Sequence, residues 1–431
     1  MQLDTLSSAD RRTLILASLG GALEFYDFII FVFFATTIGA LFFPPDLPDW
    51  MRQLQTFGIF AAGYLARPIG GVLMAHFGDL VGRKRMFMLS VLLMSVPTLL
   101  IGFLPTYATI GLAAPSLLLL MRILQGAAVG GEVPGAWVFV SEHVPESRVG
   151  LACGVLTTGL TAGILLGSLM ANAVHAFWTP AEVLAGYWRA PFVIGGVFGL
   201  FALWLRRYLH ETPVFKELQR RRSLVAGLPI RQVLGGHRAS VVRSMIFSWL
   251  LTAGIVIVIL MTPTLAQTAY GVPVEQALRA NSWATLALAI GCIVFGSAAD
   301  RFGAGRVVLW GSLGMVATSL ILFQTLAQAP HYLLPAYILA GFSVGVVGVV
   351  PAVMVRAFPP AVRFSGISFS YNVAYAISGG LTPLIVTLWM RSSPAAAAYY
   401  VGVVCLVAAV TAAQMPRDVQ RSAGGLSTAS E

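Results

Sequence analysis

Twelve apolar runs, each long enough to cross a bilayer and set apart by polar turns, constrain this 431-residue chain more than any other feature. A spanning helix needs about 20 apolar residues, because each residue rises roughly 1.5 Å through a hydrocarbon core about 30 Å thick. The runs fall at 13–40, 53–76, 86–105, 113–140, 150–174 and 189–209, then at 242–267, 281–299, 306–327, 332–356, 365–390 and 396–415. Lipid offers no partner to a backbone amide, so each run must close its hydrogen bonds on itself as a helix. An all-α membrane protein is predicted, and the spans use so much of the length that no separate soluble domain is expected. Only 10% of residues are charged, against roughly a quarter in soluble proteins, too few to cover a water-facing surface.

The charges are sorted by side. Of 27 lysines and arginines, 21 fall at one side of the predicted membrane, four at the other (Arg52, Arg189, Arg279, Arg391), and two inside spans. The net charge of +10 therefore reads as topology, with the lipid bilayer and not nucleic acid as the partner. Positive residues stay in the cytoplasm, which predicts an inner (plasma) membrane protein with both termini cytoplasmic. Asp4 and Asp10 precede Arg11 with no small-residue cleavage site after the first run, so an uncleaved first helix is expected. The predicted organisation is a six-helix bundle over 1–209, a basic cytoplasmic linker over 210–241, a second bundle over 242–415 and a short tail over 416–431. Arg220, Arg221 and Arg222 in the linker suit anionic headgroups.

The halves repeat each other. After the second run comes Gly78-Asp79-Leu80-Val81-Gly82-Arg83-Lys84-Arg85; after the eighth comes Ala299-Asp300-Arg301-Phe302-Gly303, ending in Arg306. The fourth-to-fifth turn, Val144 to Gly150, is matched by Phe358 to Gly366. Two six-helix repeats with a substrate site between them are one architecture of secondary transporters. In the 78–85 turn, Gly78 and Gly82 allow a tight reversal, while Asp79 can accept from backbone amides or a neighbouring arginine.

An ionisable side chain at mid-bilayer costs roughly 2.5–3.5 kcal/mol on insertion scales, so it faces a partner or a cavity. Glu24 and Asp27 stand three apart on one face of the first helix. Arg67 precedes Pro68 in the second; Arg122 lies mid-way along the fourth, with Glu132 beyond Gly130-Gly131. Such groups either cancel in pairs as structure, or give an arginine to an anionic substrate and an acid to a proton. A carboxylate whose arginine is alternately free and occupied would change its proton affinity during transport.

The segments Leu23 to Phe28, Phe42-Phe43-Pro44, Gly63 to Gly71, Arg122 to Gly126 and Gly130-Gly131-Glu132, with Tyr371-Asn372 and Gly379 to Pro383, carry a family resemblance. The chain resembles the metabolite:proton symporter family of the major facilitator superfamily, which includes citrate, α-ketoglutarate, shikimate and proline/betaine carriers. The resemblance implies two pseudo-symmetric six-helix bundles and alternating access, with the proton as coupling ion and no other cofactor. It implies proton coupling at Glu24, Asp27 and Glu132. Substrate contacts would come from Arg67, Arg122, Tyr26, Gln125, Tyr371, Asn372 and Tyr375. It also implies a conformational latch at Gly78, Asp79, Gly82, Arg83 and Lys84, with a second copy at Asp300, Arg301 and Gly303. Ala75 stands where a glycine is usual, Phe25 where tryptophan is usual, and the second latch copy lacks the basic pair. The eleventh span, with Tyr371, Asn372, Tyr375, Ser378 and Thr382, looks most like citrate-type carriers, favouring a di- or tricarboxylate. A zwitterion such as betaine or proline, or exchange of organic acids, is the alternative.

Cys153, Cys292 and Cys405 lie in separate spans and read as buried thiols; the six histidines show no metal-ligand spacing. No phosphate-binding glycine-lysine-serine loop occurs, so ATP does not drive the chain directly. No polar cluster suits an enzyme. A transporter-like sensor signalling through the linker is the reading from a different class, and a monomer is expected. Gly159, Gly163 and Gly167 predict close helix packing, and Pro263, Pro351 and Pro383 predict kinks or broken helices.

Overall fold

The computed structural model describes residues 6–81, 83–206, 229–359 and 362–415. Ten helices among them are each long and apolar enough to cross a membrane, and Arg83–Ile101 and Ala190–Arg206 complete a set of twelve. In chain order the first half contains α1 (Ser8–Phe33), α2 (Asp49–Val81), α3 (Arg83–Ile101), α4 (Ala113–Glu142), α5 (Val149–Phe177) and α6 (Ala190–Arg206). The second contains α7 (Arg238–Tyr270), α8 (Val274–Phe302), α9 (Ala304–Gln328), α10 (Pro330–Ala357), α11 (Arg363–Met390) and α12 (Ala396–Ala413). No strand occurs among the described residues. The fold is all-α, two six-helix bundles.

Several helices overrun their apolar runs by about a turn, since polar residues at a water-facing end can extend a helix. α1 begins in a capping box, where the Ser7 amide donates to Asp10 Oδ2 (2.9 Å) and the Asp10 amide to Ser7 Oγ (3.2 Å). The first run departs from expectation: it breaks at Phe34 (φ −106°, ψ 17°) and continues as a short helix, Ala35–Phe42.

The bundles repeat one packing scheme. In the first, α1 lies on α5, α2 on α4, and α3 on α6; in the second, α7 lies on α11, α8 on α10, and α9 on α12. Close approach at corresponding pairs rests on glycine. A Cβ on Gly126 or Gly130 of α4 would overlap the α2 backbone at Gly63 or Arg67, and one on Gly341 of α10 would overlap Ala284 of α8. Gly159 and Gly163 of α5 seat α1 in the same way, at Ser18 and Ala22.

The three prolines singled out in the sequence each follow a break. A proline ring clashes with the carbonyl four residues earlier and cannot donate to it. Upstream of Pro263 the helix widens over Ala253–Met261; upstream of Pro351 it tightens over Gly345–Val349; upstream of Pro383 it widens over Tyr375–Gly379. Freed carbonyls in α7 find donors on neighbouring helices and on α7 itself. Asn281 Nδ2 donates to the Ile259 carbonyl (2.7 Å), Tyr337 Oη to that of Val258 (2.7 Å), and Thr262 Oγ1 to that of Ile257 (2.8 Å).

The halves meet along α5 with α8 and α2 with α11. The linker and tail expected at 210–241 and 416–431 lie largely outside the described residues. Pro229–Gly236 is helical, and Val233 is buried against the second bundle.

Candidate functional site

The glycine-mediated approach of α2 and α4 brings both intramembrane arginines into the protein's centre, where each is fully buried. Arg122 is pinned. Its Nη1 donates to the Phe28 carbonyl and to Gln125 Oε1, both at 2.9 Å. The rings of Phe28, Phe31 and Phe60 stand 4.2, 4.7 and 5.3 Å from its guanidinium carbon. Gln125 is held in turn, donating to Thr98 Oγ1 (2.7 Å).

Arg67 sits differently. Its guanidinium carbon lies 4.3, 5.0 and 5.6 Å from the rings of Tyr375, Tyr371 and Tyr64. Tyr64 comes from α2 and the other two from α11, so the site spans both halves. The two boxes share a wall, since Tyr64 packs edge-on against Phe28 (5.2 Å) and Phe60 (4.8 Å). Nε and Nη2 of both arginines carry no hydrogen bond. Buried, unsatisfied cation donors are costly; aromatic faces offset part of that, and an anion would satisfy the rest bidentately.

Asp27 forms no ion pair with either arginine. Asp27 is buried with neither carboxylate oxygen hydrogen-bonded, facing α6, where only the missing side chains of Gly195 and Gly199 leave it room. Ser95 lies at the same spot. Tyr26, expected among substrate contacts, also turns to α6 and donates to the Pro191 carbonyl (2.9 Å). Glu132 is buried on α4. The side chain of Glu24 lies outside the described residues. Asn372 bridges the halves, its Nδ2 donating to the Gly130 carbonyl (2.5 Å).

At the end of the molecule where α1 begins and α12 ends, Asp300 spans the halves. Its carboxylate accepts from the amides of Gly150 (2.7 Å) and Leu151 (2.8 Å) at the start of α5, with Arg356 at 4.0 Å. A negative group at a helix N-terminus is stabilising, because four amides there lack partners. Arg363 of α11 pairs with Glu142 of α4 (3.2 Å), and Arg356 donates to the Glu146 carbonyl (3.3 Å). Gly303 (φ 90°) turns the chain out of α8, while Arg301 is exposed. For the first latch copy, Gly82 and the side chains of Asp79, Arg83 and Lys84 lie outside the described residues, as does the surround of Gly78. At the opposite end the halves leave a crevice of about 580 Å³, lined by Asp49, Arg52 and Gln53 of α2, Thr268 of α7, Thr387 of α11 and Arg391 just beyond it. Arg391 stacks on Trp50 there (4.4 Å).

Tyr64, Phe28, Phe31, Phe60 and Thr98 were not expected in the site. Phe60 and Tyr64 precede Arg67 by seven and three residues, a shared helical face, and that spacing was the available signal. Among the described residues no cluster of potential metal ligands occurs, and all three cysteines are free and buried.

The sequence profile described as Major Facilitator Superfamily matches residues 28–383. A putative proline/betaine transporter of Staphylococcus aureus (strain COL) is 32% identical over 413 residues, covering 92% of this chain and 86% of the relative. The shikimate transporter of Escherichia coli (strain K12) is 30% identical over 429 residues, covering 97% of each. Among solved structures, a D-xylose–proton symporter superposes with a TM-score of 0.75 at 17% identity, over 95% of this chain and 98% of that one; at such identity the likeness is one of fold. The chain is a multi-pass membrane transporter, not an enzyme, and it belongs to the metabolite:proton symporter family of the Major Facilitator Superfamily.

Proposed function

We propose that this protein imports a small zwitterionic solute of the betaine or proline class together with protons, by alternating access between its two bundles. The observation that carries the reading is the Arg67 site, a buried cation and three π faces contributed by both halves. An arginine donates to a carboxylate, and a tyrosine face attracts an ammonium. A zwitterion carries both groups.

The di- or tricarboxylate suggested by α11 gives way here, because the similar relatives are named for proline/betaine and for shikimate. Several negative charges would also be poorly matched to a box of aromatic faces. Shikimate-like acids remain the second reading, supported by a relative covering 97% of this chain. Both readings share one carboxylate.

Asp27 is the acid we assign to the proton, with Glu24 and Glu132 as the other candidates. It is buried, and neither of its carboxylate oxygens is hydrogen-bonded. The excess of basic residues sets the terminus-bearing end in the cytoplasm. The Asp300, Arg356, Arg363 and Glu142 contacts then form the cytoplasmic latch, with bundles 1–209 and 242–415 moving about it.

The test is uptake by proteoliposomes with an imposed inside-alkaline gradient, using labelled glycine betaine, proline, shikimate and citrate. Saturable betaine or proline accumulation abolished by a protonophore is expected. Accumulation of citrate with neither zwitterion taken up would overturn the substrate class.

A further inference from the structure

We infer that Tyr64, Tyr371 and Tyr375 form the subsite for the substrate's ammonium head, and that Arg67 occupies this subsite in the empty transporter. The inference rests on the zwitterion reading and deepens it.

The three rings pack against one another and together flank the position held by the Arg67 guanidinium. Tyr64 and Tyr375 face each other nearly parallel, 5.2 Å apart at 26°, and Tyr371 closes the side at 4.9 Å and 61° to Tyr375. Trp137 backs Tyr371 (4.7 Å). Gly379 backs the cage: a Cβ there would meet the Tyr375 ring at 2.8 Å and the Tyr64 ring at 3.4 Å. The guanidinium already sits within the distance at which a ring quadrupole holds a positive ligand, roughly 6 Å.

The contrast with Arg122 indicates which cation can leave. Arg122 is tied by hydrogen bonds to a main-chain carbonyl and to Gln125, inside phenylalanines. Arg67 meets three tyrosine faces instead, and its Nε and Nη2, like those of Arg122, are without hydrogen bonds. A quaternary ammonium such as that of betaine has no N–H to satisfy, so a cage of π faces suits it better than it suits a guanidinium with five donors. Once displaced, Arg67 can present those free donors to the substrate's carboxylate. Tyr375 begins the wide segment Tyr375–Gly379 above Pro383, so the α11 wall of the cage stands where the helix is already broken. Substrate in the cage would touch both bundles at once.

The test uses purified full-length protein in detergent and calorimetric binding of two probes. Glycine betaine is one; 3,3-dimethylbutanoate, the same shape with carbon in place of nitrogen, is the other. Wild type should bind betaine roughly tenfold or more tightly than the isostere. Tyr371→Leu and Tyr375→Leu should weaken betaine roughly tenfold more than the isostere and so abolish that preference, and Tyr375→Phe should retain it. Equal weakening of both probes in the leucine variants, or betaine binding indifferent to them, would overturn the cage alone. Wild type that binds shikimate but neither betaine nor proline would instead show the zwitterion reading to be wrong.

Discussion

Asp27 shows how much a single position depends on what its neighbours lack. Its carboxylate fits only because α6 carries glycine at 195 and 199, and it is buried without hydrogen bond or arginine partner. Asp27→Asn, which imitates the protonated form, should abolish uphill accumulation under an inside-alkaline gradient. Exchange of preloaded substrate at equal pH should persist within a few-fold of wild type; loss of both activities equally would assign Asp27 to structure. At this scale the sequence was readable for charge and poor for aromatics. Arg67, Arg122 and Asp27 stand out because any ion in an apolar run needs a reason. Phe28, Phe31, Phe60 and Tyr64 do not, since a ring in such a run is ordinary packing until its contacts are known. Tyr26 shows the same limit from the other side: its residue type suited a substrate contact, yet it bonds the Pro191 carbonyl.

Among the elements, α7 and α11 carry the departures from regular helix. Their wide segments are joined where Thr252 Oγ1 donates to Ser378 Oγ (2.8 Å), and the open carbonyls of α7 are closed by Asn281 and Tyr337. Wide turns of this kind recur at functional sites. Asn281→Leu would leave the Ile259 carbonyl poorly satisfied and remove a partner of Tyr337 (2.7 Å), costing about 1–3 kcal/mol. A clearly lowered thermal midpoint in detergent is expected, with Asn281→Gln milder; an unchanged midpoint would mean the α7 break needs no such support. The prolines made these breaks legible in sequence. Which helix supplies the donors was not, because it depends on bundle packing and not on local spacing. The bend at Phe34 had no such marker, and the run 13–40 read as continuous.

At the scale of the whole molecule, the internal repeat was legible because two turns recur in register, and the twelve-span architecture followed from apolar length alone. What the repeated turn at Asp300 contacts was not legible: Asp300 accepts from the amides of Gly150 and Leu151, 150 and 149 residues away. Cys153, one turn further along α5, is wholly buried beside Val149 and Ala352 and reports on this closure. Asp300→Asn removes the charge from two charged-group hydrogen bonds, each worth about 1.5–3 kcal/mol. It should raise Cys153 labelling by a water-soluble maleimide by roughly tenfold, since about 1.4 kcal/mol corresponds to a factor of ten. Labelling equal to wild type would remove Asp300 from the latch. The central claim, that solute and proton cross together through a site shared by the halves, is tested most directly by the proton itself. Glycine betaine added outside de-energised proteoliposomes should raise the external pH as protons enter with it, and Asp27→Asn should remove that response. Betaine uptake with no pH change in the wild type would contradict symport.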